Sequence, residues 1–220
     1  MKRTTRSTTA RLAASACLAL LCVVEIGSAH AWSLGVTGGD RRLFLHVGNG
    51  TVSGTSGRLN GPSPTTNPTR NRVEVTVPQA LLGSGTVLAM TSNSTQNISL
   101  YGDGNNTCPT PASQVMVGAG FRRNGGGSAN ATLSVASPAN LTNSSGDTIP
   151  FTEISWTVSA PGSGVPNVIP AGTFNGGTQT LTTFAANTYI ENCHTFRYAN
   201  SAVRAAGTYN GTVTYTLTAP

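Results

Sequence analysis

Beyond Lys2 the chain contains no lysine, and charged residues of either sign amount to only 9 % of it. Without a lysine amine, Schiff-base catalysis and Lys–Asn isopeptide cross-links are excluded from everything downstream. Histidine is nearly as scarce: past the first thirty residues there are only His46 and His194. Two imidazoles so far apart, with no second His or Cys at ligand spacing, give no metal-ligand pattern. Aromatics are few, at 6 %. Finally, no apolar run reaches the ~20 residues that a membrane-spanning helix needs.

What is present begins with an export signal. Lys2, Arg3, Arg6 and Arg11 form a basic start, Leu12 to Val24 is apolar, and Ser28-Ala29-His30-Ala31 offers the small–x–small site of a signal peptidase. Cleavage is expected between Ala31 and Trp32, so residues 1–31 are a cleaved secretory signal and 32–220 the mature domain, with no transmembrane anchor left in it. Cys17 and Cys22 leave with the signal. Cys108 and Cys193 remain, and an oxidising compartment favours a disulfide between them. The expected address is the periplasm, the cell surface or the extracellular space of a bacterium. The mature part carries nine Arg against six acids. In sequence these arginines are scattered, without the clustering of a nucleic-acid footprint, so no nucleic-acid partner is expected.

Gly, Ser, Thr and Asn make up nearly half of residues 32–220, and the short apolar stretches are rich in Val and Thr. That composition favours strands. Runs of period two are broken by turn residues: 42–47, 72–77, 85–91, 96–101, 114–122, 131–136, 151–159, 178–184, 194–198 and 208–218. About ten strands at this spacing predict an all-β fold, a single immunoglobulin-like or jelly-roll-like β-sandwich. Residues 79–90 are the only weak helical candidate. Asn-Gly pairs at 49–50, 60–61, 124–125, 175–176 and 210–211 supply turns, the last of them a bulge signal inside a strand. Gly54–Asn71 and Ala160–Pro170 read as long loops, and Trp156 as a core plug.

No catalytic constellation emerges. Asp40, Glu74, Asp103, Asp147, Glu153 and Glu191 are dispersed, and Asp103 and Asp147 sit in turn-like contexts. No Gly-x-Ser-x-Gly elbow occurs. A hydrolase would have to bring His46 or His194 to a carboxylate. A sugar-binding module would expose an aromatic platform, for which Trp32, Tyr189 and Tyr198 are candidates. No cofactor is expected.

The closing segment from Ala205 to Leu217, AAGTYNGTVTYTL, resembles the C-terminal strand of bacterial chaperone–usher pilins and spore-coat-U-like secreted proteins. The resemblance implies an incomplete immunoglobulin-like fold, a periplasmic chaperone as folding partner, and self-assembly by strand donation. Leu43, Leu45 and Val47 alternate in a segment suited to strand exchange. The expectation is therefore a non-catalytic structural or adhesive protein of the fimbrial-subunit kind. A monomeric glycan-binding sandwich is the alternative, and an unrecognised hydrolase the third reading.

Overall fold

The computed structural model describes residues 33–49, 70–99, 106–125, 128–160 and 168–220. The signal, Trp32, Tyr101, Asp103 and most of the two long loops lie outside these. Within them the chain is all-β and antiparallel. Its first seven strands are β1 (Ser33–Gly35), β2 (Arg42–Val47), β3 (Val73–Glu74), β4 (Leu88–Ala89), β5 (Thr91–Ser92), β6 (Val115–Arg122) and β7 (Asn130–Ala136). The rest are β8 (Asn140–Thr142), β9 (Thr148–Pro150), β10 (Ile154–Ser159), β11 (Gly172–Thr173), β12 (Thr178–Ala185), β13 (Thr188–Tyr198) and β14 (Thr214–Thr218).

The larger sheet has the order β11-β10-β13-β6-β2, and β1 and β4 also pair with β13. The smaller sheet is β12-β7-β14, while β3-β5 and β8-β9 form two-stranded ribbons. The two sheets meet through one apolar cluster. Val117, Ala119, Phe121, Ile190 and Trp156 come from the first, and Ala131, Leu133, Val135, Leu181 and Phe184 from the second. Trp156 is buried as expected, and its indole N–H donates to the Pro170 carbonyl at 2.9 Å, which meets the polar requirement of a buried tryptophan.

The eleven residues of β13 organise the larger sheet. Residues 188–192 pair with β6, and 193–198 pair with β10. From Tyr189 to His194 both of its faces are buried. Ile190, Phe196 and Tyr198 enter the core, while Tyr189, Glu191 and Cys193 point to the outer side. That outer side is covered by the segments around Val36 and Cys108. Val36 packs with Phe44 and Tyr189, and Met116 packs with the Cys108–Cys193 disulfide. The expected disulfide thus fastens a covering segment to the central strand. Gly118 of β6 is required beneath this cover, since a Cβ there would lie 2.6 Å from the Tyr189 hydroxyl.

Several strand boundaries differ from expectation. The 72–77 and 85–91 runs shrink to two-residue strands, and 79–81 is a single 3-10 turn rather than an α-helix. Of 96–101, the described part forms only an isolated bridge, Ile98 to Asn106. The last strand is shorter than 208–218. Asn210 pairs with Thr142 through two backbone hydrogen bonds of 3.0 Å, and the chain then crosses to β7 from Thr214 onward. Gly211 sits at that change of partner, pressed so closely on Phe151 that a Cβ would meet its ring at 2.6 Å. The expected bulge is therefore a switch between two ladders.

The bridge closes a span of 85 residues, and in the chain-entropy picture this removes about 4 kcal/mol of unfolded-state freedom. A Cys108→Ser/Cys193→Ser double variant is expected to lose that amount in urea denaturation with an otherwise cooperative transition. A loss below about 1 kcal/mol would show that loop closure contributes little.

Candidate functional site: an unpaired sandwich edge

The residues that chemistry would need are held apart. His194 follows Cys193 in sequence, but alternation along β13 sends Cys193 to the outer disulfide and His194 into the core. There the imidazole stacks on Trp156, with centroids 6.2 Å apart and planes 1° from parallel, and lies near Phe196 and Tyr215. Neither ring nitrogen has a hydrogen-bond partner among the described residues. Burial pushes its pKa down to about 3. His46 lies on the outer face of β2 with its Nε2 buried and without a hydrogen-bond partner among the described residues. Burial lowers its pKa to about 4, and a backbone hydrogen bond at Gly48 opposes that shift.

The buried carboxylates are occupied elsewhere. Glu191 accepts from the Thr107 hydroxyl at 2.7 Å and the Tyr189 hydroxyl at 2.6 Å. Glu153 accepts from the Ser201 amide at 3.1 Å and from the Ser201 hydroxyl, with Arg204 at 3.8 Å. These contacts fix β13 to its cover and the 199–204 loop to the sheet. Asp147 is a turn residue as expected: Asn143 Oδ1 accepts from the Ser145 and Asp147 amides, and Gly146 has φ 87°. No cluster of three or more metal-ligating side chains occurs among the described residues.

Aromatic side chains point inward as well. Tyr189 and Tyr198, the described candidates for a sugar platform, are both buried. Tyr209 and Tyr215 are half-buried, and the other described aromatics are buried. Apolar packing wins: the strands and the turns beside them set every described ring in or against the core and cover clusters.

The unsatisfied feature is an edge. Leu43, Leu45 and Val47 lie opposite Phe121, Ala119 and Val117, residues with no exposure, so they belong to the core-facing side of β2. Yet Leu43 is 36 % and Leu45 37 % exposed. The reason is topological. β2 is the last strand of the larger sheet and β14 the last of the smaller one, and each pairs on one side only among the described residues. Both strands lie on the same side of the sandwich. There Arg41 donates from Nε to the Pro220 carbonyl at 3.0 Å and from a terminal nitrogen to the Ala219 carbonyl at 2.9 Å. On β14 the core-facing Tyr215 and Leu217 are also only half-buried. Among the described residues such an edge sets a one-sided ladder beside apolar side chains, the arrangement that strand addition uses.

The candidate exchange segment is thus found in place. It does not project from the fold but is hydrogen-bonded to β6 along its whole length. Sequence reasoning also missed a neighbouring feature: the register of β2 on β6 sets Arg42 opposite Arg122, joining two arginine pairs that look scattered along the chain. No protein-family model matches the chain, and no curated protein is significantly similar to it.

The buried imidazole sets a pH dependence. Native His194 stays neutral down to about pH 3, whereas the unfolded chain takes up its proton near the ordinary value of 6.5. Between these values the unfolded state binds more protons, so stability rises with pH and is lost on acidification. The expected slope from this residue is about 1.4 kcal/mol per pH unit below the unfolded value. His194→Met is expected to flatten that acid limb in denaturation curves taken across the window, and an unchanged slope would count against it.

Proposed function

We propose that this is an exported, non-catalytic structural or adhesive β-sandwich of the fimbrial-subunit kind, which associates through the edge where β2 and β14 meet. The observation that carries the proposal is the exposure of Leu43 and Leu45 on a core-facing side. A complete sandwich buries such residues beneath a neighbouring strand. Here an added strand would gain backbone hydrogen bonds and cover apolar surface together.

Natural edge strands are blunted by Lys, Pro, bulges or inward-pointing charges. The sequences RLFLHV of β2 and TYTLT of β14 have none of these within their ladders apart from Arg42 at the first position. Because β2 already closes its own sheet, the incoming strand adds to this edge, with β2 kept in place. The resemblance of the closing segment to chaperone–usher pilins agrees with assembly of this type. The buried state of the described aromatics favours assembly over a stacked-sugar site.

Residues 32–220 purified from an oxidising compartment are expected to form a concentration-dependent ladder in sizing and light scattering, with rods visible by electron microscopy. Leu45→Lys places a charge in the edge and is expected to leave a folded monomer. A strictly monomeric parent protein over the same concentrations would overturn the proposal.

A further inference from the structure

The ladder between β2 and β6 has a fixed phase. The Gly48 amide donates to the Met116 carbonyl at 2.7 Å, and Val47 lies opposite Val117. In an antiparallel pair hydrogen-bonded and non-hydrogen-bonded positions alternate, so Gly48, His46, Phe44 and Arg42 exchange their bonds with β6. The backbone N–H and C=O groups of Leu43, Leu45 and Val47 therefore point the other way, out of the sheet edge.

Two side chains limit how much of that edge is open. At one end Asn71 lies over Gly48, so close that a Cβ there would fall on its amide. Asn71 Nδ2 donates to the Val47 carbonyl at 3.4 Å, and its Oδ1 accepts from the Asn49 amide at 3.1 Å, as a neighbouring strand would. At the other end the Arg41 side chain is anchored to the Ala219 and Pro220 carbonyls. Between these stops lie Leu43 and Leu45, the two residues of β2 whose core-facing side chains are exposed. Among the described residues nothing is hydrogen-bonded to their outward backbone groups. The open stretch of edge and the exposed apolar surface therefore coincide.

We infer that a second copy of this chain docks here through its own β2, antiparallel, about a two-fold axis at Phe44. In that register Leu43 pairs with Leu45 of the second copy, and Leu45 with its Leu43. Every outward N–H and C=O of the stretch then has a partner, and the leucines cover one another on one face. An isologous contact requires such self-complementarity. A shift by two residues would use Val47, whose carbonyl Asn71 holds, or Arg41, whose side chain leads away to β14. The register also sets Arg42 of each copy opposite His46 of the other. Burial keeps that imidazole neutral at pH 7, so like charges do not face each other across the axis. The inference names the partner strand for the edge proposed above and rests on that reading. Larger assemblies are then built from such pairs.

Cysteine cross-linking reads the register. Residues directly opposite in a hydrogen-bonded pair have Cα atoms about 5.5 Å apart, within disulfide range. Leu43 and its own equivalent in the second copy are only diagonal neighbours, beyond about 7 Å, and so are the two copies of Leu45. A mixture of Leu43→Cys and Leu45→Cys proteins under mild oxidation is expected to give a cross-linked dimer on a non-reducing gel, whereas neither variant alone gives one. Cys108 and Cys193 stay out of the exchange, buried in their own bridge. Amide hydrogen exchange on the unsubstituted protein supplies a second readout. The Leu43 and Leu45 amides are expected to gain protection in the associated fraction over the monomeric one, while the Phe44 and His46 amides are protected in both. Equal cross-linking by a single variant, or none in the mixture when the parent protein associates, would overturn the inference and leave assembly at the edge standing through another strand. Unchanged exchange at Leu43 and Leu45 in associated protein, or a strictly monomeric parent, would overturn both.

Discussion

Double-sided burial of β13 is the constraint on which the rest of this structure depends. From Tyr189 to His194 the strand is hydrogen-bonded to β6 and β10 and covered on both faces, so its polar groups there have no solvent. Each polar side chain in that stretch must therefore find a partner or bear the cost of desolvation. Glu191 finds the hydroxyls of Thr107 and Tyr189, and Asn192 accepts from the Val168 and Ile169 amides at 3.0 and 2.8 Å. Those bonds in turn position the segments that cover the sheet. His194 alone is left with aromatic neighbours and remains neutral. The strand that makes the core continuous also carries its sensitivity to acid.

The same arrangement explains the uneven finish of the molecule. Near β13 the sheet is sealed above and below. At its far side the layers thin, until β2 and β14 each end a sheet with core-facing leucines in partial contact with water. The two-sided cover lies at the centre, and the edge proposed above to associate lies at the rim. At one end of that rim Arg41 reaches across to the end of β14.

Strands with simple alternation were legible in the sequence. The sequence pattern marks Arg42–Val47, the 114–122 run and the runs that form β7 and β12 within a residue or so, because apolar side chains recur at every second position. The sequence pattern marks the central strand only from 194 onward. Glu191, Asn192 and His194 break the apolar pattern, and only the three-dimensional cover explains their burial. Val73, Val75 and Val77 alternate well, yet two residues pair, since a ladder needs a partner strand as well as a pattern. Of the site, the apolar face of β2 was visible in advance, but its pairing with β6 was not. The pairing of Arg42 with Arg122 is hidden by some eighty residues of intervening chain, a separation that only strand register removes.

A chain made from its N-terminus presents β1 and β2 first and their partners much later. β1 pairs with residues 188–190, so its ladder cannot close until more than 150 further residues have been made. Cys193, which fastens the cover, arrives on the same strand. β1 thus stays without its native partner while β2 to β12 are made, its backbone open to any other strand it meets. Maturation of this protein is consequently a problem of timing, settled when β13 appears.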